Sequence, residues 1–434
     1  MLIYNLLCIG IDMINIGICG LGTVGQSSLE HIVKFEDEIR SNISTNFRVS
    51  HVADLDVESK NLHGLDVITS NNAMDLAKNP DISIIIELIG GTTTAYEVIC
   101  ESIKNKKHVI TANKALIAEH GDKIFKLAKE ANTFFGFEAS VAGAIPIITA
   151  LTHNMLNEKI FSIFGIINGT CNYVLDQMAT KNLDFKKALE QAQSLGYAEA
   201  DPSFDIGGND AAHKISILAS LIYKIPLPYK KTYIEGIENI AADDFNYVDE
   251  FNLTIKHLAV TKRVGNEIEL RSHPVLINKD SSLGGLSGVR NGIQIDTDLL
   301  GEFLIAGSGA GKESTASGLI SDLLALSKVS NSSPMNYPHF NDLPKIKPFE
   351  NLEFSYYVYL EVQDQAGVLA LVSQIFSDNE ISIDKIVQKD HLPDAKVPVV
   401  VFTDLIKESQ MQKALENFSA QSEIHSAKII RIEA

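Results

Sequence analysis

Residues 14–25 read INIGICGLGTVG: a short apolar run of β-type residues, then Gly20, Gly22 and Gly25 in GxGxxG spacing, followed by an amphipathic stretch to about residue 39. Nothing else in the chain restricts its fold so strongly. Each glycine has a separate job. Gly20 permits a tight turn, Gly22 lets backbone approach a pyrophosphate, and Gly25 lets helix and strand pack closely. The N-terminus of the helix that follows points free N–H groups and its positive dipole end at the phosphates.

The surrounding pattern extends this into a Rossmann-type α/β domain. Strands are expected over 47–52, 82–88, 108–111 and 133–137, separated by helical patterns, which gives βαβ units and a parallel sheet. Residues 82–88 are almost continuously apolar, as in a strand covered on both faces. Ligands in such sheets sit at the carboxyl ends of strands, where Gly90-Gly91-Thr92 and Thr111-Ala112-Asn113-Lys114 fall. That location favours a site role for Lys114 over a solvated lysine early in a helix. The second strand ends in Ala53-Asp54, placing an acid to accept from ribose hydroxyls. No arginine stands at position 53 to meet a 2′-phosphate, and the next basic residue is Lys60, so the pattern leans towards NAD over NADP.

Composition narrows the partners. A net charge of −18 argues against nucleic acid or an anionic membrane surface. No apolar run reaches the length of a transmembrane helix. Residues 1–11 are apolar but lack a basic start and a small-residue cleavage site, so they do not read as a signal peptide. Met13, just before the first strand, marks 1–12 as an N-terminal extension. Cys8, Cys19, Cys100 and Cys171 are scattered, without CxxC spacing, which fits reduced thiols in a cytoplasmic protein.

The middle of the chain carries the chemistry. Residues 196–214, GYAEADPSFDIGGNDAAHK, hold Glu199, Asp201, Asp205 and Asp210 and end in Lys214. Gly196 reads as a helix stop after 185–195, Pro202 keeps the following residues irregular, and helix restarts near Asn209. Asp210 and Lys214 then lie four apart on one helical face. Such a cluster suits holding an ammonium-bearing small molecule and protonating an oxygen on it. It equally fits an exposed ion pair worth roughly 0.2–0.5 kcal/mol. Glu138 closes the first domain and precedes the small residues 139–145, which suits either an oxygen-ligated hard cation or a buried glutamate satisfied by loop N–H groups. Pro146 opens a helix. A strand over 161–167, a cap at 168–170 and a helix over 172–178 follow. Alternating runs at 253–263, 267–275, 287–295 and 299–306 suggest an antiparallel sheet with a hairpin at 264–266. Gly307-Ser308-Gly309-Ala310-Gly311 then leads into a helix over 314–326, a second glycine-rich strand-to-helix junction.

The stretches GLGTVG, ELIGG, TANKALIAEHG, FEASVAGAIPII, NGTCNYVL, GYAEADPSFDIGGNDAAHK and GSGAG carry a resemblance. Spanning most of 13–326 in order, they are similar to homoserine dehydrogenase of the monofunctional form with a C-terminal ACT domain. The resemblance implies NAD(P)H-dependent, reversible reduction of aspartate 4-semialdehyde to homoserine, on the route to threonine, methionine and isoleucine. It makes Lys214 the proton donor and Lys114 a second catalytic lysine that also meets the cofactor. Asp210 would orient Lys214 or the substrate, and Glu199 and Asp205 would bind the substrate. Gly20, Gly22, Thr23, Val24, Gly25, Asp54, Gly91, Thr92 and Gly311 would contact NAD or NADP. Glu138 with the carbonyls of Val141, Gly143 and Ile145 would hold Na⁺. Other readings of the same plan are a different amino-acid dehydrogenase and a catalytically lapsed amino-acid sensor.

The implied domains are a Rossmann domain over 13–138 completed by a helix near 312–327, and a catalytic and dimerisation domain over 139–311. A proline-rich linker over 328–350 follows, then an ACT domain over 351–434. The tail has strand, helix, strand, strand, helix, strand order, as in a ferredoxin-like domain: 354–362, 368–376, 382–388, 397–402, 411–418 and 428–432. Residues 364–369 resemble the ACT-domain loop with Ala366 where proline is usual. The resemblance implies a homodimer or homotetramer and threonine as an effector.

Overall fold

The computed structural model describes residues 13–43, 46–328, 343–388 and 396–433. The expected extension at 1–12 and the body of the expected linker, 329–342, lie outside the described residues. The chain forms two compact units: Met1–Phe161 with Asp210–Thr232 and Val289–Pro344, and Ser162–Asn209 with Tyr233–Gly288 and Lys345–Ala434.

In the first unit, β1 (Ile14–Cys19), β2 (Phe47–Ala53), β3 (Ile68–Ser70), β4 (Ile84–Glu87), β5 (His108–Thr111) and β6 (Phe135–Gly136) run parallel in the order β3-β2-β1-β4-β5-β6. This is the doubly wound order, with its switch point between β1 and β4, where the glycine-rich turn emerges. Two local features depart from the sequence reading, which placed no strand over 68–70. β3 is a three-residue edge strand, too short to show a period, and its Ile68 is exposed. The helix expected over 23–39 is two, Thr23–Lys34 and Glu36–Ile43, broken at Phe35. Glu36, Asp37 and Glu38 supply the negative charge that a new helix N-terminus favours.

The core of this sheet takes Ile16, Ile18, Val52, Ile84, Ile86 and Ile110 from the strands. Leu319, Leu323 and Leu326 join it from the helix Lys312–Lys328, so a late segment completes the first domain. Each such buried side chain contributes about 1.5–3 kcal/mol. The hairpin Arg290–Thr297 and Glu302–Ser308 belongs to the same unit.

The second unit holds a mixed sheet in the order Ile160–Ile166, Leu253–Val264, Glu267–Asn278, Ile424–Ile432, Glu353–Gln363, Lys396–Thr403 and Ile383–Gln388. Leu253–Val264 and Glu267–Asn278 form the expected hairpin about Gly265-Asn266. The last four strands, with helices Val368–Asp378 and Glu408–Ser419, are the split-βαβ tail read from the sequence. What the sequence does not announce is the seam: Val275 pairs with Arg431 and Leu276 with Ile432, so the tail's last strand extends the earlier sheet.

A buried charge cluster locks that seam. Arg431, 1% exposed, donates to both carboxylate oxygens of Glu408 at 2.7 and 2.8 Å and to Glu235 at 2.7 Å. Its guanidinium also lies against the rings of Tyr233, Phe349 and Phe354. Tyr356 donates to Glu408 at 2.6 Å. Removing one partner of such a cluster strands the other, at a cost of about 3–5 kcal/mol. Arg431→Met should therefore lower unfolding free energy by about that amount in a denaturant titration, with partial recovery in Arg431→Met/Glu408→Gln. Unchanged stability in the single variant would contradict this.

Candidate active site

The cofactor cradle is built as its glycines require. Gly20 has φ +95°, and a Cβ there would lie 2.4 Å from the Leu88 carbonyl oxygen. A Cβ on Gly25 would lie 2.0 Å from the Gly20 oxygen, whereas one on Gly22 meets nothing within 4 Å. The first two glycines fix the turn, and Gly22 leaves room for a ligand. Gly22 caps the helix without a side chain, so the N–H groups of its first turn, including those of Thr23 and Val24, stay available.

Asp54 adds a clamp. Its carboxylate accepts from the N–H of Leu21 at 2.6 Å and of Asp56 at 3.1 Å, and Lys60 Nζ lies 3.6 Å away. Burial works against its charge, but those donors outweigh it and hold the carboxyl below the usual range. The acid expected to meet a ribose thus also ties β2 to the glycine-rich turn. At the end of β4, Gly90 and Gly91 both have positive φ, and the Gly91 carbonyl accepts from Asn113 Nδ2 at 2.7 Å. Thr92 follows, half-buried, before the helix Thr94–Lys104.

Lys114 opens the helix Lys114–Ala131 directly after β5. Its Nζ lies 2.9 Å from Asp210 Oδ1, and Lys214 Nζ donates to Asp210 Oδ2 at 2.7 Å. Asp210 and Lys214 are 2% and 6% exposed, so the surface ion-pair alternative does not hold. The helical spacing brought Asp210 and Lys214 together as expected. The second half of the cluster, Lys114 on the same carboxylate, joins residues 96 apart in sequence and left no local signal. Burial pushes the Asp210 carboxyl up, but the Lys214 and Lys114 ammonium groups outweigh it and hold it well below the usual range.

His213 was not singled out from the sequence. It is 3% exposed, its ring packs edge-on to Tyr229 at 4.0 Å, and burial pushes its pKa down. Its place beside Lys214, three residues after Asp210, was the available signal.

Glu199 and Asp205 belong to the second unit. Pro202, expected to keep this stretch irregular, instead caps one helical turn, Ser203–Ile206. Asp205 Oδ1 accepts from Asn168 Nδ2 at 2.8 Å, and Asn168 also caps the helix Gly169–Lys181 through the Cys171 N–H. Glu199 is exposed, its backbone carbonyl held by Gln193 at 3.1 Å.

The Glu138 loop lies in the first unit. The carboxylate, 1% exposed, accepts from the N–H groups of Ile148 at 2.7 Å and Thr149 at 2.8 Å and from the Thr149 hydroxyl. The Glu138 N–H donates to Asp322 Oδ2 at 2.9 Å. Burial raises both carboxyl groups, and Glu138 raises Asp322 further. Ala142 and Gly143 take φ +55° and +45°, curling the segment that holds Val141, Gly143 and Ile145. The second glycine-rich junction packs here: a Cβ on Gly143 would sit 3.1 Å from the Gly309 oxygen, and Gly311, at φ +106°, is exposed.

Comparison with known proteins bears directly on this arrangement. The family model "Homoserine dehydrogenase, NAD binding domain" matches residues 20–138, "Homoserine dehydrogenase" matches 146–324 and "ACT domain" matches 356–421. A homoserine dehydrogenase of Pseudomonas aeruginosa is 40% identical over 427 residues, covering 96% of this chain and 98% of its own. The chain belongs to the homoserine dehydrogenase family. A crystal structure of a homoserine dehydrogenase from Thiobacillus denitrificans superposes with TM-score 0.91 at 36% identity, covering 98% of this chain and 99% of its own. A hyperthermophilic archaeal homoserine dehydrogenase mutant in complex with NADPH superposes with TM-score 0.63 at 27% identity, covering 74% of this chain and 99% of its own. Family members are NAD(P)-dependent oxidoreductases acting on a CH–OH group. The NAD-binding, catalytic and ACT parts expected from the sequence are therefore present.

Asp210→Asn removes the one anion between two ammonium groups and should lower stability at pH 7 by about 3–5 kcal/mol. The carboxyl is lower in the folded than in the unfolded state, so the unfolded chain binds more protons in acid. Its stabilisation is complete above about pH 4 and is lost as pH falls through the folded value, so the gap between variant and wild type should narrow in acid. A pH-independent gap in denaturant titrations would contradict this.

Proposed function

We propose that this chain catalyses the reversible reduction of L-aspartate 4-semialdehyde to L-homoserine with NAD(P)H, supplying threonine, methionine and isoleucine synthesis in the cytoplasm. The observation that carries the reading is the Lys114–Asp210–Lys214 cluster, its Asp210 and Lys214 buried, beside the carboxyl end of a doubly wound sheet. Membership of the family supplies the substrate.

When bound, the nicotinamide supplies hydride to the aldehyde carbon. The residues do the rest. Lys214 gives its proton to the aldehyde oxygen as charge grows there, and its ammonium stabilises that charge. Asp210 fixes Lys214 and Lys114 in place and keeps both protonated by its charge. Lys114 helps orient the nicotinamide and substrate, while Glu199 and Asp205 hold the substrate. The exposed N–H groups at Gly22–Val24 receive the pyrophosphate, with Gly91, Thr92 and Gly311 as further contacts. Asp54 accepts from the ribose, and Lys60 beside it gives a 2′-phosphate one cationic contact, although Ala53 offers none. The buried, tightly held cluster speaks for a working enzyme over a lapsed sensor.

Two accessory sites belong to the same reading. Glu138 with the carbonyls of Val141, Gly143 and Ile145 holds Na⁺. The fit rests on charge: Glu138 and Asp322 are both buried, and no lysine or arginine among the described residues pairs with either. A monovalent cation there would balance the Glu138 carboxylate without a redox or Lewis-acid role. The ACT part binds threonine at the loop before Val368–Asp378, where Gly367 takes φ +96°. The assembly is a homodimer or homotetramer.

Lys214→Ala should lose ~10²–10⁴-fold in aspartate-semialdehyde-dependent NAD(P)H oxidation, with cofactor binding retained by fluorescence. Unchanged turnover would overturn the assignment, and running NADH beside NADPH orders the two cofactors. For the accessory sites, Na⁺ against choline at equal ionic strength should raise the melting midpoint, and threonine should inhibit. No response to either would remove that site from the account.

A further inference from the structure

We propose that Glu87 is a positioning residue that locks the two strand-end loops of the cofactor side together and thereby sets Lys114. An acid at the end of β4 is out of character there. The strand is otherwise IIIE with every residue buried, and Glu87 itself is 0% exposed. No lysine or arginine among the described residues pairs with it. A buried carboxyl without a counter-charge is costly, so its hydrogen bonds matter.

Those bonds close a ring. Glu87 Oε1 accepts from the Ile89 N–H at 2.8 Å, and the Gly90 N–H also faces the carboxylate. Across the β4–β5 register its partner is Thr111, whose hydroxyl donates to Oε2 at 2.6 Å. Thr111 Oγ1 accepts in turn from the Asn113 N–H at 3.0 Å. Asn113 Nδ2 returns to the Gly91 carbonyl at 2.7 Å, and Asn113 Oδ1 caps the helix by accepting from Leu116 N–H at 3.1 Å. The ring thus runs from Glu87 through Thr111 and Asn113 to Gly91 and back along the chain to Glu87. Lys114 is the next residue, and its Nζ is the one 2.9 Å from Asp210.

Each part serves position. Gly90 and Gly91 have positive φ and no side chains, so they have little to hold them except these bonds. Asn113 needs the Thr111 oxygen to direct its own backbone while its side chain spans the gap. The carboxylate is the hub because all the groups reaching it are donors. Glu87 touches no reacting atom. It acts through Thr111 and Asn113 on the loop at Gly91 and on the start of the Lys114 helix.

The proposal rests on the aldehyde-reductase reading, and the experiment separates the two. Thr111→Val removes both the donor to Glu87 and the acceptor for Asn113 without changing volume. Its kcat should fall ~10–100-fold below the melting transition, as small misplacements of catalytic groups do, and its melting midpoint should drop because the buried Glu87 loses a donor. Thr111→Ser, which restores the hydroxyl, should stay within about threefold of wild type, and Glu87→Gln/Thr111→Val should be no slower than Thr111→Val alone. A Thr111→Val enzyme with unchanged kcat, or a Thr111→Ser enzyme as slow as the valine variant, would overturn the proposal while the functional reading stands. A wild-type chain inactive on the aldehyde would overturn both.

Discussion

A carboxylate with 2% of its surface exposed is held charged most strongly by opposite charge placed against it, and Asp210 has Lys214 at 2.7 Å and Lys114 at 2.9 Å. Much of the first unit serves that contact. The helix Asn209–Tyr223 is buried along nearly its whole length, and its Ser216 and Ser220 hydroxyls are satisfied by the Ala212 and Ile225 carbonyls. A helix fixed in this way gives Lys214 little freedom to wander, which suits the proton-donor role proposed for it. Lys114 comes from a different element, the helix that starts where β5 ends. One buried anion therefore joins Lys214 on a rigid helix to Lys114 at the carboxyl edge of the sheet.

The same economy recurs at the other buried acids, with different compensation. Glu408 is matched by the Arg431 guanidinium. Glu87 is met only by hydrogen-bond donors, and they organise two loops. Glu138 is also met by donors, and its own N–H donates to Asp322, whose carboxyl is pushed up by burial and by Glu138. These three environments differ in kind: an ion pair, a set of donors that joins two loops, and donors beside a second buried acid.

How much of this the sequence disclosed depends on how local each signal was. GLGTVG announced its turn because Gly20 and Gly25 each answer to a steric demand within a few residues or one neighbouring strand. The i,i+4 relation of Asp210 and Lys214 was legible for the same reason, as was the strand–helix order of the tail. Lys114 on Asp210 was not, since no periodicity links two positions so far apart. Nor was the seam at Val275 and Arg431, which joins two strands from separate segments of the second unit. Glu138 shows a middle case. Of its two residue-level readings, the N–H donors are present in Ile148 and Thr149, while the cation is a proposal.

The central claim is that Asp210 and Lys214 act as one unit in turnover. A double-mutant cycle on kcat with Asp210→Asn, Lys214→Met and the pair tests it most directly. If the residues work as a unit, the double variant is no slower than the slower single variant. Losses that multiply, leaving the double variant slower than either by the full product, would show that the two act independently and would contradict the account.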